Sequence, residues 1–207
     1  SFGPSLFKHV IPRKKIDIDW SDLAFAVRQC LFPANRHKVE QTLKEHWTPE
    51  NSPQQSDRLF CLSVRSGFDA LLSALNFEPG DEILVSAITI HGMVRIITEH
   101  HLVTIPIDID TDHLTPQLNA VDQAVSHRTK AILIAHLFGS RMPMEPILRF
   151  AQAHNLLVIE DCAQAYTGDG YWGHPQSDIS LFSCGPIKTN TALAGGILQF
   201  REPSLRN

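Results

Sequence analysis

The sequence predicts an α/β protein whose mainly parallel sheet is flanked by helices. Three observations point there. From Ser63 onward short apolar runs alternate with amphipathic stretches, turn formers such as Pro79-Gly80-Asp81 separate them, and a conspicuous acid and amine fall just past two of the runs. Ligands of open parallel sheets bind at that carboxyl edge.

Each expected strand is a short apolar run bounded by polar or turn residues: Glu82 to Val85, Val103 to Ile109, Ala131 to Phe138, Leu156 to Glu160, Ile179 to Ser183 and Gly196 to Phe200. Crossover helices fit Gly67 to Leu75, Gln117 to Val125 and Met144 to His154, where apolar residues recur at helical spacing. Pro116 after Thr115 reads as a helix start. The first sixty residues differ. Ser21 to Phe32 and His37 to His46 are helical in pattern, Pro33-Ala34-Asn35 parts them, and Thr48 to Asp57 is polar and proline-containing. The expected organisation is an N-terminal helical arm and loop over 1–60, then a large domain over 61–207 that is incomplete, its sheet unfinished.

At 207 residues and 43% hydrophobic content the chain can bury a sizeable core. A formal charge of −4 offers no basic field, so neither nucleic acid nor an anionic membrane is an expected partner. No stretch reaches the roughly 18 apolar residues of a membrane span. The longest, Ile83 to Ile97, is interrupted by Ser86, His91 and Arg95. Ser1 to Lys15 lacks the order of a signal peptide, and the chain reads as cytoplasmic. Cys30, Cys61, Cys162 and Cys184 form no C-x-x-C pair, which favours buried reduced thiols over disulfides or zinc. The histidines show no H-E-x-x-H spacing, so no metal is expected and His100-His101 reads as flanking a strand.

The chemistry gathers around Asp161 and Lys188. Asp161 ends the run Leu156 to Glu160, and Lys188 follows 27 positions later in Ser183-Cys184-Gly185-Pro186-Ile187-Lys188, a loop too rich in Gly and Pro to be helical. A pyridoxal phosphate enzyme needs that pair. The carboxylate keeps the pyridine nitrogen protonated so that the ring can accept electrons, and a lysine with a lowered pKa forms the Schiff base. Gln164 can reach the ring hydroxyl, and the Ser183 hydroxyl can donate to phosphate. Ser66-Gly67-Phe68-Asp69 can present backbone N–H groups at a helix N-terminus, which suits phosphate as well. Each residue also has an ordinary reading: Asp161 or Ser66 as a helix cap, Gln164 facing solvent, Ser183 ending a strand, Lys188 on the surface.

Taken in order, Ser66-Gly67-Phe68-Asp69-Ala70-Leu71, Pro79-Gly80-Asp81-Glu82, Ile107-Asp108-Ile109-Asp110, His136-Leu137-Phe138-Gly139, Glu160-Asp161-Cys162-Ala163-Gln164 and Phe182 to Lys188 resemble the DegT-type nucleotide-sugar aminotransferases. The resemblance runs from about Ser63 to Phe200. It implies the three-layer fold-type-I pyridoxal phosphate architecture, with Lys188 bonded to the cofactor and shuttling the α-proton. It also implies Asp161 on the pyridine nitrogen, Gln164 on the ring oxygen, and Ser183 with the Gly67 and Phe68 amides on the phosphate. An amino acid donor such as glutamate, a keto nucleotide-sugar acceptor and a homodimer follow from the same resemblance. Related sugar dehydratases carry histidine at the lysine position, so lysine favours transamination.

Three positions depart from the pattern. Phe68 stands where relatives have Thr, Ile90 where an aromatic residue stacks on the cofactor, and Ala194 in place of a carboxylate. Relatives also continue into a small C-terminal domain. These departures support a second reading, a non-catalytic or truncated relative with a structural or associative role. A Rossmann-type nucleotide binder ranks last, because no G-x-G-x-x-G follows the first strand.

Overall fold

The computed structural model describes residues 18–47, 57–168, 170–188 and 191–202. In chain order these form α1 (Trp20–Leu31), α2 (Arg36–His46), β1 (Asp57–Cys61), α3 (Val64–Leu75), β2 (Glu82–Ser86), α4 (His91–Glu99) and β3 (Val103–Ile107). The short β4 (Ile109–Asp110) and β5 (Thr115–Pro116) follow, then α5 (Leu118–Ala124), β6 (Thr129–Ala135), α6 (Glu145–His154), β7 (Leu157–Asp161), β8 (Ile179–Ser183) and β9 (Gly196–Phe200).

Seven strands make one sheet in the order β1-β9-β8-β7-β6-β2-β3. β2, β3, β6, β7 and β8 run parallel, and β9 is antiparallel to both its neighbours, β8 and β1. β1 therefore points the same way as β8. Six strands end at one edge of the sheet, and β9 begins there.

Alternation along each strand sends side chains to opposite faces. Ile83, Val85, Ala131, Leu133, Ile159, Leu181 and Leu198 pack beneath α3 and α4. Leu84, Ile132, Ile134 and Val158 pack on the other face with residues of α5 and α6. Farther along that second face no helix among the described residues covers β8 and β9. Cys162, Tyr166, Phe182 and Ile197 are instead covered by Trp47, Tyr171 and Trp172. Trp47, just past α2, meets Tyr166, Trp172 and Phe182 with ring centroids 5.1, 4.8 and 5.5 Å away, and so ties the N-terminal arm to the sheet. α1 starts at an Asp19 capping box and buries none of its residues.

Several boundaries differ from the sequence expectation. β1 opens at Asp57, inside the stretch assigned to the arm's loop; residues 48–56 of that loop lie outside the described residues. The apolar run Ile83 to Ile97 divides into β2 and α4, whose Met93, Ile96 and Ile97 face the core at helical spacing. Thr115 and Pro116 pair with β4 rather than starting a helix, and α5 begins at Leu118. α3 begins at Val64, three residues before Gly67, because Ser63 and Ser66 cap each other's backbone N–H groups. All four cysteines are free, yet only Cys162 is buried, while Cys30 is exposed. His100 closes α4, with Nε2 2.8 Å from Asp69 Oδ1. No helix among the described residues is long and apolar enough to cross a membrane.

Candidate active site

The sheet topology carries the sequence-selected residues to the one edge where six strands end. α3 starts there after β1, Ile90 follows β2, Asp161 and Gln164 close β7, and Ser183 with Lys188 follows β8.

Asp161 is the last residue of β7 and is buried. Its Oδ1 accepts the Ala163 N–H at 2.9 Å. No described residue donates to Oδ2. Burial pushes the carboxyl above its ordinary range, opposed by the Ala163 N–H and by the positive charge of Lys188. The amine and the acid therefore act on each other electrostatically across the edge. Lys188 sits in a turn, its N–H on the Gly185 carbonyl at 3.0 Å, and is half-buried. The loop that carries it is closed at its base by Cys184 N–H to Gly195 O at 3.0 Å. Ser183 ends β8 opposite Gly196, half-buried, near the Gly185 amide at 3.5 Å.

Gln164 is exposed, and its Oε1 accepts the Phe138 N–H at 3.1 Å. Only the amide oxygen can take that bond, so the side-chain orientation is fixed. The Nε2 end, which no described residue accepts, is left to donate. A group with a protonated ring nitrogen and an ionised ring oxygen matches these two ends: Oδ2 of Asp161 accepts, and Nε2 of Gln164 donates.

The phosphate expectation needs correction. Gly67 and Phe68 lie inside α3, and the Gly67 N–H is already bonded to Ser63 O at 3.0 Å. The capping box uses the Ser63 and Ser66 amides, and the bridge between Ser63 and Gly195 packs the Val64 N–H against Gly195 and Gly196, so the first-turn donor left is that of Arg65. Gly67 serves packing. A Cβ there would lie 2.4 Å from Leu198 Cδ1 and 2.7 Å from Cys61 Sγ. Phe68 is fully buried in the core, so its ring fills the space beneath α3 and takes no part at the edge. Ile90 is 47% exposed at the start of α4, where its aliphatic side chain faces outward.

Sequence reasoning missed the buried cluster behind the edge. Glu160, wholly buried, accepts from His136 Nε2 at 2.8 Å, the Tyr171 hydroxyl at 2.6 Å, the His174 N–H at 2.8 Å and the Ser177 hydroxyl at 2.6 Å. Burial pushes its carboxyl up, but these donors outweigh burial and hold it at about 2. Burial and the Glu160 charge push the Tyr171 hydroxyl far above its ordinary range. A charged residue inside an otherwise apolar strand was the available signal. His136, Glu160 and Cys162 bring three ligand-type atoms within 4.8 Å of one another, but the short contacts among them are hydrogen bonds already made.

A mostly parallel seven-stranded sheet with a single reversed strand and helices packed on it is an α/β architecture of the fold-type-I kind. The aminotransferase from Psychrobacter cryohalolentis has the same fold, with a TM-score of 0.75 at 23% identity over 91% of this chain and 49% of that one. The chain belongs to the DegT/DnrJ/EryC1/StrS aminotransferase family, whose model matches residues 54–207. It is 35% identical over 160 residues to the GDP-perosamine synthase of Escherichia coli, covering 73% of this chain and 43% of that protein. It is 30% identical over 170 residues to the UDP-4-amino-4-deoxy-L-arabinose–oxoglutarate aminotransferase of Shewanella sediminis, covering 81% and 42%. The chain thus spans less than half the length of each of these two curated relatives.

Proposed function

We propose that this chain forms the cofactor-binding part of a pyridoxal phosphate-dependent aminotransferase that moves an amino group from an amino acid such as glutamate to a keto nucleotide-sugar. The observation that carries the reading is Asp161: a buried carboxylate with one hydrogen bond, an oxygen that no described donor meets, and the Lys188 charge acting on it. A carboxylate in that condition suits a cationic ring nitrogen. When bound, the cofactor supplies an electron-accepting ring. Lys188 would hold it covalently and, once released by substrate, carry the α-proton as base and then acid. Gln164 Nε2 would donate to the ring oxygen, and Ser183 with the Arg65 amide would bind the phosphate at the start of α3. The names of the two curated relatives support a nucleotide-sugar acceptor, and the second supports the glutamate and oxoglutarate couple. A cytoplasmic homodimer whose partner subunit contributes to the site belongs to the same reading.

The test is direct. Full-length chain mixed with pyridoxal phosphate is expected to gain a visible absorbance band that borohydride bleaches, with the reduced adduct located by mass spectrometry on Lys188 and absent from Lys188→Ala. An adduct confined to other lysines overturns the site. The exposed Ile90 and the inward Phe68 favour a second reading, a relative that serves only association. A colourless protein with no adduct would support it.

A further inference from the structure

The proposed chemistry uses Asp161 and leaves out its neighbour Glu160, whose side chain lies on the opposite face of the sheet. Glu160 and His136 are both fully buried. His136 Nδ1 accepts the Met142 N–H at 3.3 Å, so the ring's donor proton sits on Nε2, 2.8 Å from Glu160 Oε1 and 2.9 Å from the Tyr171 hydroxyl, which itself donates to that oxygen. The imidazole therefore bridges the base of the 137–142 loop. It is attached to the chain at one end of the loop and hydrogen-bonded to the other.

That loop is strained. Phe138 and Gly139 both have positive φ, 57° and 84°, in a turn closed by Ser140 N–H to Leu137 O at 2.9 Å. Glycine adopts this conformation freely, whereas a phenylalanine in it is strained. With its ring 75% exposed, Phe138 gains little packing in return. The turn is held by its surroundings, through the His136 bridge and the bond from Phe138 N–H to Gln164 Oε1. The latter bond is also what fixes the Gln164 amide.

We propose that Glu160 is a positioning residue for the ligand site: through His136 it sets the 137–142 loop, and through the Phe138 N–H of that loop it aims Gln164 Nε2 at an anionic oxygen of the bound ligand. Naming that oxygen as the cofactor's ring hydroxyl rests on the function proposed above. The mechanical link from Glu160 to Gln164 does not.

Two measurements on the full chain separate these layers. Without added cofactor, hydrogen exchange at the Phe138 amide is expected to speed up about tenfold or more in Glu160→Gln and in Gln164→Ala, with no further gain in the double variant. Ser177→Ala removes a donor to the other Glu160 oxygen, 2.6 Å away, and Ser177 makes no hydrogen bond to His136, so this variant should leave Phe138 exchange unchanged. With pyridoxal phosphate bound, the pH at which the visible band titrates is expected to rise equally in Glu160→Gln and Gln164→Ala, again without additivity. Unchanged Phe138 exchange in Glu160→Gln, additive effects, or an equal response to Ser177→Ala overturns the relay. Should Glu160→Gln fail to fold, His136→Gln keeps the carboxylate and is read by the same criteria. If no visible band forms, the cofactor reading falls and the exchange experiment alone decides the relay.

Discussion

Glu160 and Asp161 are consecutive carboxylates at the end of one strand, and the molecule treats them in opposite ways. Glu160 points to the α6 side of the sheet, where the protein supplies donors to both its oxygens and holds the charge at about 2. Asp161 points to the α3 side, receives one backbone N–H, and is pushed up by burial. A carboxylate whose partners are all internal stabilises the fold. One left short of partners is destabilising until something else brings the positive end. The alternation of a β-strand is enough to place an acid satisfied by the protein and an acid short of partners side by side.

That contrast can be broken at its strongest point first. Glu160→Gln places amide hydrogens against groups that already donate, and is expected to cost about 3 kcal/mol at neutral pH. Because the folded-state pKa is depressed from 4.5 to about 2, the stability due to ionisation is fully present above 4.5 and is lost as pH falls toward 2. Urea unfolding across pH should show a gap between wild type and variant that is constant above pH 4.5 and closes below it. A constant gap down to pH 2 would show that the carboxylate is not specially stabilised. Gly67→Ala sharpens the comparison on the Asp161 side. Overpacking against Leu198 and Cys61 should cost about 1–3 kcal/mol in the same assay even without cofactor. A variant with normal stability and poor cofactor binding would return Gly67 to the phosphate site.

Asp161→Asn gives the smallest expected effect and the opposite sign. Without cofactor the protein should become more stable by about 1 kcal/mol at neutral pH, the scale of one under-partnered buried polar group. Since burial raises the Asp161 pKa, this gain should fade as pH falls from that raised range toward the ordinary aspartate value and be gone below it, where wild type is protonated folded and unfolded alike. Cofactor binding should weaken in the same variant, as read by the visible band. Loss of stability without cofactor would make Asp161 a structural residue like its neighbour.

The sequence revealed most where a strand is buried on both faces. Ile179 to Ser183 and Gly196 to Phe200 match β8 and β9 residue for residue, because each apolar run is bracketed by polar or turn residues. β1 was missed since it opens with Asp57 and Arg58, and Arg58 is nonetheless buried. α4 was hidden because its apolar residues continue those of β2 with no proline between them. The start of α3 was misplaced because its cap pairs two serines, Ser63 and Ser66, and lacks the Glu or Gln that usually marks such a box. At the site, Asp161, Gln164 and Lys188 stood out by residue type at a strand end. The His136–Glu160 contact did not, because residues 24 apart in sequence meet only when β6 and β7 pair. The orientation of Gln164 was equally invisible, being decided by a backbone amide in a different loop.

The reversal of β9 has an effect on Lys188 that reaches beyond the sheet. Both feet of the lysine's loop stand on neighbouring strands at the same edge, so the loop is a closed span, and its described residues include no helix. Residues can be inserted into or removed from that span without shifting the register of any strand. The reach of the amine can thus be lengthened or shortened as an independent variable while the acid it faces stays where it is.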